Sequence, residues 1–186
     1  MSPNHWVERP AASFGWTVEA AAAHPCVSQN KNMPRPINQR DEFAEQYVAA
    51  VFADAKWSVY FPRKDKGFDF IVSKQTANGM IIRPVQVKGK FPESLTAVRN
   101  QYGYKGRLTA LHADMVLAIP LFTALKRLAY PDCIAYMPFS RIDNDGDGEY
   151  SCEPARLQSG KVSAKPSFSK YFDDLGLIAM ESLAWK

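Results

Sequence analysis

Asp69, Gln86 and Lys88 are residues whose types and spacing could do chemistry together. In "RPVQVKGK", Gln86 and Lys88 stand two apart, so on a strand they point to one face while Val85 and Val87 point to the other. Asp69 stands between two phenylalanines in "GFDFIVSK", where an aspartate is a poor strand former and is expensive to bury unpaired. If the two strands are neighbours, Asp69 offers a hard anionic oxygen, Gln86 a neutral carbonyl oxygen, and the Val87 backbone carbonyl a third. Oxygen ligands of this kind suit Mg²⁺ or Mn²⁺, with water and a substrate phosphate in the remaining positions. Lys88 would then orient the attacking water or stabilise charge in the hydrolysis of a phosphodiester. Taken singly, each residue has a plainer account. Gln86 and Lys88 could lie on a solvated strand face, and Asp69 could pair with Lys64 or Lys66.

The elements that must position this set are legible around it. "NQRDEFAEQYVAAVFADAK" reads as an amphipathic helix, with Asn38 as N-cap, an end near Ala55 and Lys56 at its close. Phe43, Tyr47, Val51 and Ala55 follow four-residue spacing, with Ala44, Val48 and Phe52 alongside. "WSVYFP" (57–62), "GFDFIVSK" (67–74) and "MIIRPVQVK" (80–88) read as an antiparallel meander, with Pro84 marking an edge or a bulge. "GKFPESLTAVRNQYGYKGRL" (89–108) is turn-rich, aromatic and basic. "ADMVLAIPLF" (113–122) and "DCIAYMPF" (132–139) are buried-strand patterns, with "TALKRLAY" a short helical turn between them. A last helix is expected through Tyr171, Leu175, Ile178 and Leu183, weakened by Gly176. The expectation is an α/β (α+β) domain with a central mixed β-sheet of about four to five strands flanked by helices. Residues 1–37 read as a partly irregular N-terminal extension and 38–186 as one domain.

Composition bounds the partners. At 186 residues, 46% apolar and 23% charged, the chain has the make-up of a soluble globular domain. A net charge of +4 permits a nucleic-acid partner without demanding one. The three cysteines are scattered without CxxC spacing, which argues against a zinc knuckle or a disulfide framework and for a reduced, cytoplasmic setting. No apolar run has the length of a membrane span, and no targeting leader is read.

The ordered set of a helical glutamate, a strand Asp and a following QxK resembles the PD-(D/E)XK nuclease superfamily. "QVK" at 86–88 is similar to its QxK branch, which includes Mrr-type restriction endonucleases and some intron-encoded endonucleases. The order and spacing of "FAEQYVAAVFADAKWSVYFP", "GFDFIV" and "IRPVQVKGK" also resemble Holliday-junction-resolvase-like members. The resemblance covers roughly Arg40 to Lys90 and implies a restriction-endonuclease-like sheet and Mg²⁺- or Mn²⁺-dependent DNA cleavage. It implies Asp69, Gln86 and Lys88 as the catalytic trio, the Val87 carbonyl on the metal, and Glu45 as the helical carboxylate. Glu42 is the competing choice, since it shares much of that direction and the helix dipole alone would explain it. Two departures stand in this chain: the acid of the second motif is Gln86, and "GFD" lacks the Pro-Asp pair.

Around the site, Arg99, Tyr102, Tyr104, Lys105 and Arg107 could contact phosphates and stack on bases, or form a solvated surface loop. Lys64, Lys66 and Lys90 would extend an electropositive rim. "DNDGDGEY" (143–150) begins like a calcium loop but has Pro154 where the bidentate Glu belongs, so it reads as an acidic turn. His5, His24 and His112 are dispersed and support no histidine-based site. The expected function is metal-dependent phosphodiester hydrolysis in DNA more than RNA, with a homodimer if both strands of a duplex are cut. The alternative is a nuclease-fold module that binds nucleic acid or a partner protein without cutting, which the neutral Gln86 keeps open.

Overall fold

The computed structural model describes residues 37–64, 67–94, 96, 98–109, 111–123, 130–182 and 185. The expected N-terminal extension lies outside them apart from Ile37, as do Lys66, Leu183 and most of the turn expected over 123–130.

Helix α1 runs Ile37–Asp54. Ala44, Val48 and Phe52 are fully buried along its four-residue stripe. Asn38 lies inside the first turn and does not cap it, because the helix reaches back to the residue after Pro36. A proline disfavours helix in the residue before it, not after it. The other end closes as a Schellman motif. The Trp57 N–H donates to Phe52 O at 3.0 Å and the Lys56 N–H to Ala53 O at 3.1 Å, with Lys56 left-handed at φ 66°. The Trp57 ring packs edge-on against Phe52, 6.0 Å between centroids, which is the apolar contact that accompanies this turn.

In chain order the strands are β1 (Ser58–Tyr60), β2 (Phe70–Thr76), β3 (Gly79–Val87), β4 (Arg99–Arg107), β5 (Val116–Leu121), β6 (Cys133–Pro138), β7 (Asp143–Gly146), β8 (Glu149–Gln158) and β9 (Lys161–Ala164). β1, β2, β3, β5 and β6 form one mixed five-stranded sheet in that order. The meander β1–β2–β3 is antiparallel, β3 and β5 are parallel, and β5 and β6 are antiparallel. The fold is thus the mixed α+β architecture expected, with its central sheet. The β3–β5 ladder covers only Val85–Val87, so the stretch holding Pro84 is locally an edge. Every residue of β5 is buried, and Phe52 of α1 meets Phe70 and Tyr136 of the sheet edge-on. Arg83 is buried, with Nη2 donating to Ser182 O at 2.7 Å and Nη1 3.2 Å from Asp114, which ties β3 to the chain after the last helix.

A second sheet was not expected. β4, β8 and β7 pair in that order, and β9 also pairs with β8. The stretch 89–108, read as turns, therefore carries a nine-residue strand. β4 is polar, has two glycines and lacks β-branched residues, so propensity conceals it; its pairing with a distant strand creates it. Gly103 is required there, because a Cβ would lie 2.2 Å from the Cys152 carbonyl oxygen. "DNDGDGEY" is indeed an acidic turn, the β7–β8 hairpin, with Asp147 at φ 52° and Gly148 at φ 76°.

A 3₁₀ turn (Pro166–Tyr171) leads into α2 (Asp173–Met180). Its buried face differs from the expected one. Leu175 and Ile178 are 60% and 64% exposed, while Gly176, Leu177 and Met180 face inward. The glycine sets this rotation: a Cβ on Gly176 would lie 2.4 Å from Tyr171 O and 2.7 Å from the Tyr136 ring, so the closest approach is possible only on that side. No helix among the described residues is long and apolar enough to cross a membrane.

Lys56→Gly should raise the urea midpoint, because glycine holds the left-handed turn without the steric penalty of about 1 kcal/mol that a side chain carries there. An unchanged or lowered midpoint would contradict this account of the turn.

Candidate metal centre

The β2–β3 register ends on the pair Phe70–Val85, and Asp69 is the residue just before it. Two bonds fasten Asp69 to β3. Its N–H donates to Val85 O at 3.0 Å, and its carboxylate Oδ2 accepts the Val87 N–H at 2.5 Å. The carboxylate is therefore held against the backbone of the QxK strand. The Val87 carbonyl lies on the same edge of β3 as the Val85 carbonyl, two residues apart along the strand.

Gln86 is not on a solvated face. It is 4% exposed, whereas Ile82, on the same side of the strand by alternation, is 56% exposed. That side of the sheet is open at one end and closed at Gln86. The Gln86 Oε1 is buried without a hydrogen-bond partner. Such an orphaned carbonyl is costly, about 1–3 kcal/mol, unless something else satisfies it. Lys88 is half-buried, and its N–H donates to Ala118 O at 2.9 Å, continuing the attachment to β5.

Helix α1 brings the next carboxylate. Glu45 is half-buried, and its carboxyl is pushed up from 4.5 to about 7, first by burial and then by the Asp69 charge; Lys88 opposes the shift, and Asp41 and Glu42 add to it. Glu45, Asp69 and Lys88 are thus brought within electrostatic reach of one another, while Glu42 is exposed. Gly89 permits this approach: a Cβ there would lie 3.0 Å from the Ala44 Cβ and 2.9 Å from the Phe91 ring. Sequence reasoning passed over Gly89, although a glycine directly after the QxK triplet is a signal of close backbone approach.

These residues fit a hard divalent cation. The Glu45 and Asp69 carboxylates act on each other electrostatically, and the strand whose Val87 N–H holds Asp69 also carries the unpartnered amide oxygen of Gln86. Among the described residues no group of three or more His, Cys, Asp or Glu is disposed to hold a metal, so an amide and a backbone carbonyl must complete any ligand set here.

The basic residues beyond Lys88 are not equivalent. Lys90 is half-buried with its N–H on Pro120 O at 2.9 Å and its Nζ 5.8 Å from the Tyr102 ring centre. Lys64, Arg99, Lys105 and Arg107 are exposed. Arg99 is ion-paired with Glu93, and the Lys105 Nζ lies 3.3 Å from Asp145. Tyr102, expected as a stacking surface, is instead a core residue at 2% exposure, with its hydroxyl donating to Phe122 O at 2.7 Å. The strand pairing of β4 turns that ring inward. Tyr104 is half-buried, and its hydroxyl donates to Arg107 O at 2.6 Å. Lys90, Arg99, Lys105, Asn100 and Gln101 line a cleft of about 540 Å³ that begins two residues past Lys88, with Glu93 and Glu153 also on its walls.

The Glu45 shift sets a pH signature for the metal-free protein. The fold favours the neutral acid, so its stability contribution is full below 4.5 and is lost as pH rises through about 7. Glu45→Gln should flatten that fall and stabilise the protein at pH 8 by about 1 kcal/mol, as read by thermal melts in chelator. A variant that keeps the wild-type slope would remove Glu45 from this charge cluster.

No family model matches the chain, and no curated protein matches it. Among solved structures it is similar to a bacterial homing endonuclease, I-Ssp6803I, at 17% identity over 77% of this chain and 93% of that one, with a TM-score of 0.46.

Proposed function

We propose that the chain is a divalent-metal-dependent nuclease of the PD-(D/E)XK type, QxK branch, hydrolysing phosphodiester bonds in DNA in preference to RNA. The observation that carries this reading is the buried, unpartnered Oε1 of Gln86 on the strand whose Val87 N–H holds the Asp69 carboxylate and which leads into Lys88, whose charge acts on Glu45. A solvated strand surface would leave that oxygen to water; a hard cation would satisfy it and offset the burial and the Asp69 charge that raise Glu45. Asp69, Gln86 Oε1, the Val87 carbonyl and Glu45 would hold Mg²⁺ or Mn²⁺. A bound ion of this kind supplies Lewis-acid polarisation of the phosphate and lowers the pKa of the attacking water.

The chain's own residues do the rest. Asp69 is kept in place by the Val87 N–H, so its charge does not reorganise during the reaction. Glu45, as the helical carboxylate, would help to hold the ion or its water. The Lys88 ammonium sets a positive charge where the transition state gains negative charge. Lys90, Arg99 and Lys105 offer phosphate contacts in the adjoining cleft, and the exposed Lys64 and Arg107 are not among its lining. Two such sites, in a homodimer, would cut both strands of a duplex.

The neutral Gln86 and the small number of acids favour a second reading, a module that binds nucleic acid without cutting. Purified protein incubated with plasmid DNA and Mn²⁺ separates the two: cleavage is expected, and Asp69→Ala and Lys88→Ala should each reduce it by at least about 100-fold. Cleavage that survives both substitutions sinks the nuclease assignment. Calorimetry with Mn²⁺ should also show binding that Gln86→Leu weakens and Gln86→Glu retains. Heat signals identical in both variants would show that Gln86 is not a ligand.

A further inference from the structure

A second pocket lies away from the candidate metal centre, where α1 and α2 meet β6, with a volume of about 190 Å³. Asp132, Asp173 and Asp174 line it, and among the described residues none of the three has a cationic partner. Tyr47 and Leu177 form its walls. Tyr136 reaches it from below with a ring that is completely buried under Gly176 and against Phe52. Its hydroxyl has no hydrogen-bond partner, although Asp173, Asp174 and Tyr47 act on it electrostatically. An acidic rim over an orphaned buried hydroxyl is an unfavourable arrangement for a protein to keep empty.

We infer that this pocket receives the guanidinium group of an arginine side chain presented by a protein partner. Three carboxylates and one hydroxyl oxygen match the several N–H donors of a planar guanidinium, with the Tyr47 side chain on the pocket wall. A small metal ion fits less well, because these acids are not disposed as a metal-binding group of three. Asp173 is also held in position: its φ is 47° and its Oδ1 accepts the Ile134 N–H at 2.8 Å, which fixes the start of α2 over β6. The site shares no residue with the Asp69 centre and stands whether or not the chain cuts DNA.

The probe is N-acetyl-arginine amide, titrated into the whole protein and followed by amide chemical shifts. Saturable shifts are expected at Ile134, Asp174 and Gly176. Asp174→Asn and Asp132→Asn should each weaken binding by about threefold or more, and Tyr136→Phe by up to about tenfold without disturbing the fold. Tyr136→Phe should also raise the melting temperature of the free protein, since it removes an unsatisfied hydroxyl. An absence of saturable shifts, equal shifts from Mg²⁺ alone, or full binding by all three variants would overturn the proposal. Where binding is seen, sedimentation velocity distinguishes the source. Association that Asp174→Asn abolishes places the arginine on a second copy of this chain, and a monomer at every concentration removes a second copy as its source.

Discussion

The contact between the Asp69 carboxylate and the Val87 N–H is the constraint around which the candidate centre is arranged. It occurs where β2 begins and β3 ends, so one aspartate both closes the ladder and is held on the backbone either side of Gln86. An aspartate at a strand terminus normally turns to water. Here a backbone amide claims one oxygen, and the carboxylate is kept in the site, close enough to Glu45 to raise its proton affinity. Charge, hydrogen bonding and register thus meet at a single residue.

Everything else at the centre depends on how closely α1 is allowed to approach. The approach is made at two small residues, Ala44 on the helix and Gly89 past the strand, and it carries Glu45 within electrostatic reach of Asp69 and Lys88. The Schellman turn at Lys56 and the buried Trp57 behind it fix the other end of α1 and start the meander. A helix and a hairpin are therefore joined at both ends, which makes the position of Glu45 a consequence of packing and not of its own contacts. The buried Arg83 performs a related task on β3, fastening that strand to the end of the chain after α2.

The second sheet changes what the basic stretch after the QxK motif means. Read as a loop, Arg99, Tyr102, Tyr104, Lys105 and Arg107 form one undifferentiated patch. As strand β4 they divide: Tyr102 is locked into the core, Tyr104 bonds through its hydroxyl to the Arg107 carbonyl of the same strand, and the long cations remain outside. Strand alternation and pairing with β8 make this division, and neither is visible in a polar, glycine-containing segment whose partner lies some 50 residues away. The same limit applies to α2. Helical spacing pointed to Leu175 and Ile178, but the tight space against Tyr136 admits only Gly176, and the apolar pair is left outside.

By itself the sequence determined the elements whose signals are local: the stripe of Ala44, Val48 and Phe52, the three-stranded meander, the two buried strands after it, and the order of Glu45, Asp69, Gln86 and Lys88 along them. Periodicity and alternation carry that information within a few residues of chain. Only the tertiary structure decided that Gln86 is sealed from solvent with an unpartnered oxygen, that Glu45 is half-buried within reach of the Asp69 charge while Glu42 is exposed, and that Tyr102 belongs to the core. Burial and charge coupling are properties of what lies across a gap in space, and residues far apart in the chain supply the two sides of that gap.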